Sequence, residues 1–512
     1  MAALAGPPPQ PSDFSLSGTV VNGVTGAPVR NVLVSLSPSD QKVETDAAGG
    51  FKFSHLEAET YMLGATKLGF EAAEDYVELA ASREGVVIRL TPLATIRGIV
   101  KDSEGEPVEG VTVVALRSQI GRGWRRIEPA GQALTDDRGY YRIGQLVAGQ
   151  YVVQAAGFQG LSYEGETVNK AKARDAFAPV YFGGAHDAAS ATPVPLAPAA
   201  EGRADFSVTL QPGHRILGHL ANLKPYTRPV IQLLRGQENL GLNRCTLELG
   251  TGGFRLDDVL DGSYRLRAFG MGTDGQPQVA EQEVIVAGKD VEGISMTLGP
   301  GLTVKGTVRG EGPNTEPLPT EQPEPPDFGL VLEPVDSLGD LGVGPFWSNP
   351  AADGAFQIAS VLPGRYRVHF RIAGPRYFSS IRAGNTDLLA TSELTVASGA
   401  APDIEVVLRS DGGSIEGTFA PEAAIDDDVL VLLVPEALNR PPEVMAVEAG
   451  EAFRFAAVAP GSYRLHAWDN SAEVEYHSPE VLRTLAHSGT RVEVRTAAET
   501  KIQLQKLSEI PK

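Results

Sequence analysis

Apolar and polar residues alternate along most of this chain, and at five places the alternation takes one form. It reads apolar-x-apolar-x-x-apolar, then a turn ending in Gly or a substitute, then x-Tyr-x-apolar. The copies begin at Phe51, Tyr141, Phe254, Phe356 and Phe453 and reach a tyrosine ten residues later, at Tyr61, Tyr151, Tyr264, Tyr366 and Tyr463. An apolar residue follows two positions on, at Leu63, Val153, Leu266, Val368 and Leu465. A fixed spacing inside a variable sequence implies a fixed backbone, hence an array of one module. In Phe51-Lys-Phe53 and Phe453-Arg-Phe455 the period of two puts aromatics on one strand face and charges on the other. Asp/Gly turns precede these strands (Asp46 to Gly50, Asp136 to Gly139, Asp353-Gly354). Pro363-Gly364 and Pro460-Gly461 set a second turn before the tyrosine strand, so each phrase reads as a hairpin with one buried face.

Each phrase has an opening strand upstream, at Ser17-Gly18-Thr19-Val20, Arg97-Gly98-Ile99-Val100, Leu217-Gly218, Lys305-Gly306-Thr307-Val308 and Glu416-Gly417-Thr418-Phe419. A closing alternating strand follows it, as in Phe206-Ser-Val208-Thr-Leu210 and Ile404-Glu-Val406-Val-Leu408. Units of about 80 to 120 residues with six or seven short strands predict β-sandwiches. Helical periodicity is not sustained anywhere; the best short helix candidate runs over 478–485. The divisions predicted are a Pro-rich tail at 1–13 and modules at 14–92, 93–212, 213–300, 301–410 and 411–512. The second module carries an insertion at 154–204, the fourth a Pro- and acid-rich one at 310–340.

The run G-T-V, G-x-P-V-x-x-V, T-D-x-x-G-x-F and P-G-x-Y resembles the carboxypeptidase regulatory-like domain. The match is clearest over 18–61 and 98–151, shorter in modules four and five, and weakest in module three. The resemblance implies an all-β fold: about five tandem antiparallel Greek-key sandwiches of the transthyretin-like, immunoglobulin-like kind. It says little about function, because such modules are appended to many proteins. The tail from Tyr463 through Trp468 to Leu482 is similar to the end module of large exported proteins of environmental bacteria, which implies export to the periplasm, cell surface or extracellular space. A complete signal peptide is not expected here, since residues 1–7 lack a charged region and a long apolar run; Ala3-Leu4-Ala5 has the form of a cleavage-site remnant.

With 512 residues, a net charge of −20 and one cysteine, the chain is large enough for five cores and unsuited to nucleic acid or anionic membranes, and it has no intrachain disulfide. No apolar run approaches the length of a membrane span. His477-Ser-Pro-Glu480 has a zinc-ligand spacing but no third ligand or base in range, and Cys245 reads as a small core residue. The Asp-rich turns lack the spacing of a calcium loop. A Lys–Asn crosslink fails because no Asn sits in the closing strand opposite Lys305. Nucleophile elbow, phosphate loop and dinucleotide fingerprint are all missing. The expectation is therefore a non-enzyme with no cofactor and no metal.

Specific contacts are expected where the five copies differ. The candidate interaction surface is Trp124 with Arg125 and Arg126, a basic-aromatic spot on an acidic chain, together with Tyr181, Phe182, Trp347 and Trp468. The function expected is a structural or interaction protein of the bacterial surface, a multi-module rod that self-assembles through sheet edges and termini or binds other cell-envelope proteins. The alternatives are a glycan- or peptide-binding protein and an accessory subunit of a secreted peptidase or outer-membrane transporter.

Overall fold

A computed structural model describes residues 13–508 except 122, 158–160, 164–174, 189, 224–228, 236–237, 240–244, 273–275, 312–327, 336–345, 352, 373, 421–427, 470–472 and 505–507. Residues 1–12 of the Pro-rich tail and most of the Pro- and acid-rich insertion of module four thus lie outside the described residues. The chain divides into two compact units. One comprises Met1–Ser118, Ile127–Phe158 and Phe177–Gln211; the other comprises Gln119–Arg126, Gln159–Ala176 and Pro212–Lys512.

The main sheets fall into five pairs along the chain. Module one shows the plan. Its strands are β1 (Phe14–Asn22), β2 (Leu33–Ser37), β3 (Gln41–Glu44), β4 (Gly50–Leu56), β5 (Glu59–Thr66), β6 (Ala73–Leu79) and β7 (Arg83–Leu90). One sheet has the order β4-β1-β7 and the other β3-β2-β5-β6. All pairings are antiparallel except β1 with β7. When direction alternates along the chain, the first and seventh strands run the same way, so making them neighbours makes them parallel. The buried face of this sandwich holds Leu16, Val20, Val34, Phe51, Phe53, Tyr61, Leu63 and Ile88.

The other modules repeat this arrangement. Ala94–Asp102 lies between Tyr140–Leu146 and the parallel pieces Glu201–Arg203 and Phe206–Val208. His214–Ala221 lies between Gly253–Val259 and parallel Val291–Thr297. Leu302–Glu311 lies between Ala355–Val361 and parallel Ile404–Arg409, and Gly413–Phe419 between Phe453–Val458 and parallel Glu499–Leu504. In module two the latter part of the insertion returns to its own sheet, where Val180–Tyr181 and Val194–Leu196 pair with Gly149–Gly157. Within the second unit, Leu161–Tyr163 adds in parallel to Cys245–Leu247 of module three.

One expectation is corrected. The two strands of each phrase do not form a hairpin. In module one β4 pairs with β1, whereas β5 pairs with β2 and β6 in the facing sheet. The same split holds in the other four. Alternation fixes which face of a strand is buried but not which strand lies beside it, and two strands facing across a core share the pattern of two strands in one sheet. The chain crosses between sheets at a bulge whose fifth phrase residue, His55, Gln145, Asp258, Ser360 or Ala457, has φ between 55° and 63°. The tyrosine locks the crossing. Its hydroxyl donates to the carbonyl four residues back: Tyr151 to Val147 at 2.6 Å, Tyr264 to Leu260 at 2.9 Å, Tyr366 to Leu362 at 2.6 Å and Tyr463 to Ala459 at 2.7 Å. Tyr61 makes the same bond to Glu57, longer at 3.3 Å.

The opening-strand glycine and the first aromatic of the phrase are cross-strand partners in every module: Gly18 with Phe51, Gly98 with Tyr141, Gly218 with Phe254, Gly306 with Phe356 and Gly417 with Phe453. In each, a Cβ on the glycine would lie closer than 3.0 Å to the aromatic ring. The ring therefore covers the bare backbone of the neighbouring strand, which explains why the two motifs occur together. In modules one and two a buried threonine ties the remaining motif residues. Thr45 donates to Val29 O at 2.7 Å and accepts from Val32 N at 3.0 Å; Thr135 does the same with Val108 and Val111 at 2.7 and 2.9 Å.

Among the described residues the helices are α1 (Leu388–Thr391), unforeseen in the sequence, and α2 (Pro479–Leu485), which begins after Ser478 with Pro at its first turn. The α2 helix covers the outer face of the module-five sheet, creating a second core of Leu432, Val434, Trp468, Val474, Tyr476, Leu485 and Ala486.

Candidate interaction site at the Trp124 turn

The segment Gln119–Arg126 belongs to the second unit, where it meets modules four and five. Gly123 has φ +75°, and a Cβ there would run into the Tyr476 ring. A glycine is required at this point for both reasons. Its carbonyl accepts from His477 N at 3.1 Å. The Trp124 ring stacks on His477, with centroids 4.3 Å apart and planes at 11°. The Arg367 guanidinium lies 4.2 Å from the Trp124 centroid, a cation–π distance. Arg125 pairs with Glu475 at 3.0 Å, and Arg126 pairs with Glu333, which also takes a 2.7 Å hydrogen bond from His369.

The electrostatics follow from this packing. Burial pushes the His477 imidazole down to about 4, and the charges of His369 and Arg367 act in the same direction. Burial opposes ionisation of Glu333, but the hydrogen bond from His369 and the charge of Arg126 outweigh it and hold the carboxyl below its usual range. Arg367 is lowered, first by desolvation.

Among the candidate residues, the structure brings Trp124, Arg125 and Arg126 to this one place. Trp347 lies on Phe346–Ser348, opposite Val331 of the module-four sheet; its side chain is outside the description. Tyr181 and Phe182 are elsewhere: Tyr181 is buried in module two, and Phe182 packs edge-on against Phe206 at 6.3 Å. Trp468 is 1 % exposed, stacked on His466 inside the second core of module five. A large ring on the outward strand face is shielded here by α2, which alternation along Gly461–Asp469 does not report. The expected open aromatic face at Trp468 is therefore corrected to a core position.

The sequence does not single out Gly123, Glu333, Arg367, His369, Glu475 or Tyr476. The alternation Arg365, Arg367, His369, Arg371 along Gly364–Ile372 is the only signal it holds, and by itself it describes a solvated strand face. His477 serves the Trp124 stack, while Glu480 is exposed in the first turn of α2, so the H-x-x-E pair is not assembled. Cys245 is buried, and burial pushes its thiol up to about 12. Among the described residues no group of three or more His, Cys, Asp or Glu side chains is placed to hold a metal ion, and no helix is long and apolar enough to cross a membrane. In the first unit a cavity of about 400 Å³ opens beside Leu68, Gly69, Leu93 and Arg142, but the Arg142 guanidinium is already bonded to Thr95 Oγ1 at 3.0 Å.

The fold and this site define a tandem β-sandwich protein whose repeated residues are structural. Residues 15–91 and 95–178, in modules one and two, each match the model of the carboxypeptidase regulatory-like domain. No curated protein matches the chain. Among solved structures, similarity is found to the minor pilin GBS52 of Streptococcus agalactiae, at 15% identity and a TM-score of 0.23, covering 39% of this chain and 97% of that one. The shaft pilin SpaA of Lactobacillus rhamnosus GG matches at 14% identity and a TM-score of 0.20, covering 38% and 98%. The Bacillus anthracis TIE protein matches at 9% identity and a TM-score of 0.15, covering 98% and 69%. At TM-scores this low, neither fold nor function rests on these likenesses.

Proposed function

We propose that this chain is a non-catalytic structural or interaction protein, exported to the bacterial surface or extracellular space, that holds a series of β-sandwich modules in place and associates with further copies of itself or with other envelope proteins. The observation that carries this reading is how the repeated residues are used. Glycine under aromatic ring, tyrosine hydroxyl on carbonyl and Asp on turn amides each satisfy a backbone need and leave no group over for chemistry. The joints inside the second unit support it too. Arg267 of module three bonds Glu281 at 2.6 Å and Pro363 O of module four at 3.0 Å, and Ser398 of module four donates to Glu281 at 2.9 Å. Phe269 of module three lies in the module-four core.

Electron microscopy and sedimentation of native secreted material test this reading. The expected result is concentration-dependent high-mass species; a strictly monomeric profile across the working range overturns self-association. Recovery of the chain only from the cytoplasm overturns export.

A further inference from the structure

We propose that Gly123–Arg126 is a docking peptide and that the cleft formed by modules four and five, with Glu333, Arg367, Glu475, Tyr476 and His477 at its walls, is its recognition site, so that the two behave as ligand and receptor that separate and rejoin. The partner is defined by chemistry: a turn of glycine, tryptophan and two arginines. Each residue meets a matching group. The bare Gly123 fits under Tyr476, Trp124 lies against an imidazole and a guanidinium, and each arginine finds a carboxylate. One backbone bond, His477 N to Gly123 O, sets the depth. This pattern of one central aromatic anchor flanked by charge pairs is that of a binding hot spot rather than of a module core.

Two features make the contact separable. The sandwich cores are apolar and interdigitated, whereas this contact is polar and incompletely satisfied. Trp124 Nε1, Arg126 Nε and Arg367 Nε are all withdrawn from solvent without an acceptor among the described residues, and all three regain water when the peptide leaves. The walls also come from separate sandwiches, Glu333 and Arg367 from module four and Glu475 to His477 from module five.

The site carries its own proton sensitivity. His477 faces Trp124 and Tyr476, with Arg367, His369 and Glu333 from module four and Arg125, Arg126 and Glu475 beyond them. Its docked imidazole is held down to about 4 by burial, against an ordinary value of 6.5. The docked form therefore binds the proton less readily than the open form, so docking is at full strength above about pH 6.5 and is lost as pH falls through about 4. At Glu333 the peptide brings the Arg126 charge, which favours the carboxylate, beside the His369 hydrogen bond that module four supplies itself.

The test uses the full chain carrying Trp124→Ala and Arg126→Ala, which empties the site, and a fluorescent synthetic peptide of residues 118–127. The peptide is expected to bind the doubly substituted chain saturably and the unaltered chain at least ten-fold more weakly, because there the site is filled. Adding Glu333→Gln to the emptied chain should weaken binding about ten-fold, and lowering the pH from 7 to 4 should weaken it by up to about a hundred-fold. With His477→Gln the pH dependence should flatten. Absence of saturable binding, or equal binding to filled and emptied chains, overturns the proposal. Should the doubly substituted chain misfold, the unaltered chain still decides. Its tryptophan fluorescence should change between pH 6.5 and 4, a change missing from Trp124→Phe, and a flat titration overturns the separable contact.

Discussion

Beneath the Phe356 ring the module-four backbone leaves no room for a side chain. A Cβ on Gly306 would meet both that ring and the Ile404 carbonyl. Gly329, in the facing sheet of the same module, has open space where its Cβ would be and no positive φ. Gly306→Ala is therefore expected to cost about 2–3 kcal/mol through overpacking, while Gly329→Ala should be neutral or slightly stabilising. Denaturant melts of the two variants check this, and equal midpoints would refute the account of the glycine–aromatic pair. The tyrosines are tested separately. Tyr366→Phe keeps the ring but leaves Leu362 O, in a buried site, without its 2.6 Å donor, a loss of about 1–2 kcal/mol. Burial pushes the Tyr463 hydroxyl up to about 12, as it raises Tyr151, so these groups stay protonated donors across the physiological range.

Between strands, the sheet-to-sheet crossing is where sequence and structure part. The residue types that build the phrase were legible because each obeys a local rule: aromatics at period two, Asp and Gly at turns, Tyr after Pro-Gly. Asp46 Oδ1, for example, accepts from Ala48 N and Gly50 N at 2.8 Å each. The crossing itself rests on a left-handed residue that is His, Gln, Asp, Ser or Ala in the five copies, so no residue type marks it. Likewise the target of Trp124 depends on Arg367 and His477, more than two hundred residues away, and no local pattern announces such a meeting. A left-handed alanine carries strain that glycine does not. Ala457→Gly should accordingly stabilise module five by about 0.5–1 kcal/mol despite the added freedom of the unfolded chain, visible as a higher unfolding midpoint. At the joint between modules three and four, Arg267→Ala should cost about 3–5 kcal/mol by taking the guanidinium away from the largely buried Glu281 carboxylate and from Pro363 O. Replacing both, with Arg267→Met and Glu281→Leu, should recover most of the loss.

For the molecule as a whole, these joints determine how many parts unfold separately. Five cores could melt as five transitions, but module three does not close its own surface: Phe269 is counted among the side chains of the module-four core, with Val279 packed against it. Losing module three would expose Phe269's partners and leave Pro363 O and Ser398 without Arg267 and Glu281. Modules three and four are thus expected to unfold as one cooperative step in scanning calorimetry of the full chain. Gly218→Ala, which forces a Cβ against the Phe254 ring and Ile294 O inside module three, reads this out at a distance. A loss of about 2–3 kcal/mol in a cooperative block of this size should lower its transition by roughly 5–10 °C, carrying module four with it. Phe269→Ala, by removing the shared side chain, should instead split the step in two. If Gly218→Ala lowers one component and leaves the module-four component where it was, the two sandwiches are independent, and their joint is a contact rather than a shared core.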